Sequence, residues 1–131
     1  MPDQLKELNF LRNLLSNDGK LIIEVPHSLD ILINNKELNS FKKFTFWSEH
    51  LILHTKQSLK KFLIYSGFKK VKFLNYQRYN LDNHLNWFIN SSPNGHNKPI
   101  FKIDESSKRN YEKYLFSKNV SDTLVAIASK K

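Results

Sequence analysis

The chain has 131 residues, enough for one domain with a modest hydrophobic core. Its apolar content of 40% and aromatic content of 13% exclude an intrinsically disordered tail. The sequence has no cysteine, which excludes disulfides, thiolate metal sites and a cysteine nucleophile and fits a cytoplasmic protein. No apolar run approaches the roughly 18 residues of a membrane helix, and the N-terminus lacks a signal-peptide pattern. We therefore expect neither secretion nor membrane insertion.

The formal net charge of +9 raises the question of a nucleic-acid partner. Lysines that neutralise phosphates supply non-specific affinity for nucleic acid. The lysines of this chain occur as scattered pairs, such as Lys42-Lys43 and Lys69-Lys70, and do not form one stripe. This pattern favours a solvated basic surface, and a nucleic-acid-binding domain is the less favoured interpretation.

The first half of the chain predicts a helix, a strand and a long excursion. Leucines recur at helical spacing over residues 3–16, and we expect Gly19 to take the left-handed conformation after this helix. The run LIIEVP predicts a strand buried on both faces, as in a parallel sheet. Residues 27–54 show no clear period and predict an irregular excursion with a short helix over residues 30–35. Excursions this long are usually functional.

A second helix and strand follow the excursion. We expect Thr55 or Ser58 to be the N-cap of the helix and Gly67 to end it. The strand is predicted over VKFLNYQRY.

The remainder predicts an insertion, over residues 80–120, before a last strand. Residues 80–104 are rich in Asn and contain the turn cluster SSPNGHNKP, with a short helix expected over residues 81–89. A further helix, capped by Ser106 or Ser107, precedes the final strand DTLVAIAS.

A family resemblance is carried by four segments in order: LLSNDGKLIIEVP, SEHLILHTKQSLKKFLIYSGFKKV, QRYNLDNHLNWF with PNGH, and SDTLVAIASKK. Together they resemble the C-terminal half of a class I S-adenosylmethionine-dependent methyltransferase, and more narrowly the sugar C-methyltransferase-like group. The likeness covers nearly the whole chain. It implies a single partial α/β domain over residues 1–131, with three strands of a Rossmann-like sheet and flanking helices. The last strand is expected to lie antiparallel between the other two.

The resemblance also implies an activity, the transfer of a methyl group to a small acceptor such as a sugar or related metabolite. In that family the counterpart of His50 is the general base, and the adjacent Glu49 can orient its ring. Trp47 stands where the family usually has Tyr. The alternative is that Trp47 and Leu51 anchor the excursion while Glu49 and His50 face solvent.

Three further histidines are candidate substrate-site residues beside Trp47. His27 follows the first strand directly, at the carboxyl end where ligands collect in open α/β sheets, although it could equally cap a turn. His84 and His96 fall in segments that match the family's insertion. The alternative is that they belong to ordinary turns, which have the same residue types. Only His50 and His54 have the i, i+4 spacing of helical metal ligands, and no acidic cluster accompanies them, so we expect no metal.

The cofactor half of the family fold has no counterpart in the sequence. The glycine-rich loop that approaches S-adenosylmethionine should lie upstream, whereas Gly19, Gly67 and Gly95 fall in three unrelated turns. We therefore expect the chain alone to bind no cofactor, and to act with a chain that supplies the missing N-terminal half or as a homo-oligomer. The alternative is a non-enzymatic interaction module that pairs through an open sheet edge.

Overall fold

The structure, a computed structural model, describes residues 3–46 and 52–131. In these residues five helices and three strands form an α/β fold. In chain order the elements are α1 (Gln4–Leu14), β1 (Lys20–Pro26), α2 (Asn39–Thr45), α3 (Lys56–Tyr65), β2 (Lys70–Leu74), α4 (Leu81–Asn90), α5 (Glu105–Ser117) and β3 (Thr123–Ser129).

Side-chain caps fix where two of the helices begin. Thr55 and Ser58 form a capping box at the start of α3, which confirms the predicted start of this helix. Helix α5 begins after Asp104, so the prediction of Ser106 or Ser107 as its N-cap is wrong. The Asp104 carboxylate accepts hydrogen bonds from the backbone and the hydroxyl of Ser107, at 2.9 and 2.7 Å, and thereby satisfies the first turn.

Strand β3 lies between β1 and β2 and is antiparallel to both. Its register pairs Thr123 with Pro26, and it pairs Ser129 with both Lys20 and Lys70. Because both neighbours oppose β3, strands β1 and β2 run parallel to one another and their carboxyl ends reach the same edge of the sheet. The prediction of a last strand placed antiparallel between the other two is confirmed.

The two faces of β1 differ in burial. Leu21, Ile23 and Val25 pack against the main core, whereas Ile22 is 68% exposed on the opposite face. The prediction that LIIEVP is buried on both faces is therefore wrong. The physical reason is that side chains of α1 and α3 join the core on one side of β1.

The core has two parts. The main cluster joins α3, the following turn and β3 and comprises Leu59, Leu63, Phe68, Leu124, Ala126 and Ala128. A second cluster joins the excursion to α4 and comprises Leu32, Leu38, Phe41 and Trp87. This second cluster fixes the excursion beside the edge where β1 and β2 end.

Local structure departs from the sequence predictions at three places. Residues 30–35 form turns, and the helix of the excursion is α2, further along the chain. Strand β2 ends at Leu74, because the later backbone N–H groups of Arg78 and Tyr79 donate to the Asp122 carboxylate, at 2.8 and 2.9 Å. Among the glycines only Gly67 has positive φ, at 88°, so the left-handed conformation predicted for Gly19 is wrong.

The end of α1 explains why Gly19 is not needed in that conformation. The helix ends at Leu14, and Leu15 already leaves it with extended backbone while its N–H donates to Arg12. The chain is therefore out of the helix before it reaches Gly19, and no left-handed cap is required there.

Candidate functional site

A cavity of about 810 Å³ opens at the edge of the sheet where β1 and β2 end and β3 begins. We call it the carboxyl-edge pocket. Its walls include Asp30, Phe44, Tyr79, His84, Trp87 and Asp122. Ligands of open α/β sheets collect outside the carboxyl ends of parallel strands, so the position of this pocket marks it as the candidate site.

Asp122 holds the chain that follows β2 across the start of β3. Its carboxylate accepts hydrogen bonds from the backbone N–H groups of Arg78 and Tyr79 and from the Gln77 amide nitrogen, at 2.8, 2.9 and 2.9 Å. The Gln77 oxygen in turn accepts from the Asp122 backbone N–H at 2.9 Å. Burial raises the pKa of Asp122, and the donated hydrogen bonds oppose that rise. Asp122 is therefore a fully used structural anchor of the pocket wall.

His84 projects from α4 and is 1% exposed. Its Nδ1 lies 2.6 Å from the Tyr111 hydroxyl, and its Nε2 lies 3.3 Å from the Gln77 amide nitrogen. The two hydrogens of the Gln77 amide nitrogen are donated to the Tyr79 carbonyl and the Asp122 carboxylate, at 2.8 and 2.9 Å, so the hydrogen bond that holds the His84 ring is the short one between Nδ1 and the Tyr111 hydroxyl. Burial lowers the pKa of His84 to about 4, so the ring is neutral at physiological pH.

Asp30 is a buried carboxyl group that accepts one hydrogen bond from the described residues. The residue is 4% exposed, and its Oδ1 accepts from the Leu32 backbone N–H at 2.8 Å. No other described residue hydrogen-bonds to this carboxylate, although Asp30 lines the pocket. Burial raises the pKa of Asp30 to about 7, the Leu32 N–H opposes the rise, and the nearby charge of Asp122 adds to it.

Aromatic rings form the apolar part of the pocket. Phe41 packs edge to face against Trp87, with the two ring centroids 5.0 Å apart. Phe44 packs against the same ring, with the centroids 5.3 Å apart. Tyr79 lies 5.2 Å from the His96 ring at another part of the wall. The pocket thus combines an aromatic surface with the Asp30 carboxylate.

The loop after α4 is held against that helix by close backbone packing. A Cβ on Gly95 would collide with the Asp82 carbonyl oxygen and would lie 2.5 Å from the Asn86 Cβ. The Asn86 amide donates to the carbonyls of Ser92 and Pro93, at 2.8 and 2.9 Å. This packing carries the neighbouring histidine of the predicted PNGH turn into the pocket wall.

The histidines named from the sequence have different positions. His84 and His96 both line the carboxyl-edge pocket, and the His96 Nδ1 lies 3.4 Å from the Asn83 side-chain oxygen. His27 is 0% exposed and is not among the residues that line this pocket. Its Nδ1 lies 2.9 Å from the Ser121 carbonyl oxygen, its Nε2 has no partner, and burial lowers its pKa.

His27 also closes the excursion, since it forms an isolated parallel bridge with His54. The predicted catalytic residues His50 and Glu49, and the predicted substrate residue Trp47, lie outside the described residues. Their roles stay predictions.

Sequence reasoning missed Asp30, Gln77 and Asp122. Asp122 directly precedes β3, and Asp30 follows the end of β1 by a few residues. Acidic residues just beyond strand ends are a signal that could have identified both, because such positions reach the ligand-binding edge of the sheet. No local pattern marks Gln77, whose role depends on a contact with Asp122 that spans much of the chain.

The fold so defined is a small α/β domain with an open, three-stranded antiparallel sheet and a pocket at the edge where β1 and β2 end. Comparison with protein-family models, with curated proteins and with solved structures gave no match. Within residues 3–46 and 52–131, no helix is long and apolar enough to cross a membrane. The same residues contain no group of three or more His, Cys, Asp or Glu side chains placed to hold a metal ion.

Proposed function

We propose that this chain is the acceptor-binding half of an S-adenosylmethionine-dependent methyltransferase that acts on a small molecule. The observation that carries the proposal is the sheet: two parallel strands flank an antiparallel last strand, in the order β1-β3-β2, with a pocket at their carboxyl ends. That order is the one the family resemblance implies for the last three strands. The cavity of about 810 Å³ has the size of a small-molecule site.

The residues of this chain do not fit the cofactor. The three glycines of the sequence lie in separate turns, and no glycine-rich loop links a strand to a helix. We therefore assign no step of methyl transfer to S-adenosylmethionine held by this chain. What the described residues do supply is a pocket for an acceptor, with Asp30 and His84 in its wall.

The outer edge of β1 offers a place for the other half of the sheet. Strand β1 pairs with β3 on one side, and no described strand pairs with its other side. An open edge presents unpaired backbone N–H and C=O groups to any partner strand. We propose that a chain carrying the cofactor half, or a second copy of this chain, pairs there. The same edge favours the second candidate function, a non-enzymatic interaction module.

The two functions are separated by cofactor binding. We would purify the chain with its natural partners, determine the mass of the assembly, and titrate it with S-adenosylmethionine by calorimetry. We expect an assembly larger than one chain that binds the cofactor, and no binding by the isolated chain. A stable assembly that binds no S-adenosylmethionine would reject the enzyme and leave the interaction module.

A further inference from the structure

We infer that the carboxyl-edge pocket binds a small organic ammonium group, with Asp30 as its counter-ion and the aromatic wall as its apolar seat. The inference rests on the proposed function in one respect: it assigns the class of acceptor, a molecule that carries an amino group. Binding itself can be tested without methyl transfer.

The first support is the charge of the pocket. The described lining contains three carboxyl groups, on Glu24, Asp30 and Asp122, one guanidinium, on Arg78, and the imidazoles of His84 and His96. The whole chain has 21 lysines and arginines and a net charge of +9. The pocket is therefore an acidic site on a basic protein, which favours a cation over a phosphate or a carboxylate.

The second support is the unequal use of the three carboxyl groups. Asp122 is occupied by the backbone of Arg78 and Tyr79, and Glu24 pairs with the Arg78 guanidinium at 3.2 Å. Asp30 is 4% exposed, and among the described residues its carboxylate accepts one hydrogen bond, from the Leu32 N–H. A buried carboxylate can accept several hydrogen bonds, and an ammonium group supplies N–H donors of the opposite charge.

The third support is the aromatic wall next to this carboxylate. Trp87, Phe44 and Tyr79 line the same cavity as Asp30. Phe44 and Tyr79 are 56% and 39% exposed, so part of each ring is open to a ligand. Cations are attracted to the faces of aromatic rings, and a carboxylate with several rings is a recurring way to bind amines.

Protonation of Asp30 links the expected affinity to pH. With its pKa at about 7, the Asp30 carboxyl of the empty pocket is partly protonated at neutral pH. An ammonium ion favours the carboxylate, so binding should release a proton and should strengthen as pH rises from about 6 to about 8.

The pocket wall also holds the titratable groups of His84, His96, Glu24 and Asp122, and Tyr111 hydrogen-bonds to His84, so loss of the pH dependence in Asp30→Asn is what assigns it to Asp30. The His84 ring, with its pKa at about 4, is neutral throughout that range. Burial and the charge of Asp30 raise the pKa of Tyr111, which therefore keeps its proton. Asp122 also has a raised pKa and is the remaining acidic contributor beside the Glu24–Arg78 pair.

The test compares two probes of nearly the same shape, cyclohexylammonium and cyclohexanol, by titration into the isotope-labelled chain with NMR detection. We expect the amine to bind about tenfold more tightly than the alcohol, since hydrogen bonds to charged groups are stronger than those between neutral groups. Its shifts should map to the backbone around Asp30 and to the Trp87 indole. Asp30→Asn, which keeps an oxygen for the Leu32 N–H, should lose that preference.

Asp18→Asn is the matched control, because Asp18 lies on an exposed turn and does not line the pocket. It should leave both affinities unchanged. If Asp30→Asn fails to fold, the pH dependence of amine binding to the natural chain decides: affinity that does not change between about pH 6 and about pH 8 overturns the role of Asp30.

Equal binding of both probes in the pocket overturns the ammonium class and leaves the acceptor pocket in place. Binding of the amine outside the pocket, or no amine binding, overturns the inference outright. The proposed methyltransferase function is tested separately, by cofactor binding to the natural assembly, which uses no amine probe. Either proposal can therefore fail without the other.

Discussion

Asp30 and His84 line one pocket, yet burial raises the pKa of Asp30 and lowers the pKa of His84. Asp30 binds its proton more tightly in the folded chain, with a pKa of about 7 against an ordinary 3.8. The folded state then holds more protons than the unfolded state in this range, so the Asp30 contribution to stability falls as pH rises from about 4 to about 7. His84, with its pKa lowered from 6.5 to about 4, contributes stability that rises from about pH 4 to about pH 6.5.

The first prediction separates these two contributions. Asp30→Asn removes the falling contribution, so the variant should gain stability relative to the natural chain as pH rises from about 4 to about 7, by roughly 4 kcal/mol at most. Urea unfolding of both proteins across this range measures the difference. A difference that stays constant with pH would show that the Asp30 carboxyl titrates near its ordinary value in the folded chain.

A second prediction at the residue scale concerns Tyr111. Its hydroxyl hydrogen-bonds to the His84 Nδ1 at 2.6 Å, so Tyr111→Phe leaves a buried ring nitrogen without this partner. We expect a loss of about 1–3 kcal/mol in the free energy of unfolding. Tyr65→Phe is the matched control, because Tyr65 is 84% exposed and the same atom is removed there. An equal effect of the two substitutions would reject the His84–Tyr111 hydrogen bond.

At the scale of elements, the loop after α4 depends on a residue without a side chain. Gly95→Ala would place a Cβ against the Asp82 carbonyl and 2.9 Å from the Asn83 Cα, so the loop must leave α4. We expect a loss of roughly 1–3 kcal/mol in stability, as for other overpacked sites, and a displaced His96. Unfolding measurements and the NMR shifts of the His96 ring report the two effects. Gly19→Ala meets its nearest atoms at 3.0 Å and should cost less.

Some of the helices and strands could be predicted from the sequence, and others could not. Apolar residues at helical spacing predicted α1 and α3, because that spacing is set by the burial of one helix face, whereas β1 was predicted from an apolar run of strand length. Helix α2 was missed, since only Phe41 of this short helix is buried and its apolar pattern is weak. The length of β2 was overestimated because the backbone of Arg78 and Tyr79, beyond the end of β2, bonds to Asp122, a contact that no local pattern contains.

The candidate site was partly predictable for the same reason. His84 and His96 were named from the insertion, and both line the pocket. Asp30 was not, because its importance comes from its burial and its position in the pocket wall, and both depend on the packed fold.

At the scale of the whole molecule, the open edge of β1 makes a prediction about assembly. Ile22 on β1 and Leu14 on α1 are both 68% exposed, so Ile22→Lys and Leu14→Lys should each change stability little. A charge on an edge strand discourages strand pairing, so only Ile22→Lys should reduce the mass of the assembly in sedimentation. Equal effects of the two substitutions would argue against pairing through the β1 edge.

The most direct measurement of the proposed function is methyl transfer by the natural assembly. The tagged chain would be purified with its partners and incubated with S-adenosylmethionine that carries a tritiated methyl group, together with the small molecules of the same source. The control is the same purification from cells that lack the chain. We expect label in a small-molecule product only when the chain is present. An intact assembly that leaves every small molecule unlabelled would contradict the assignment of this chain to a methyltransferase.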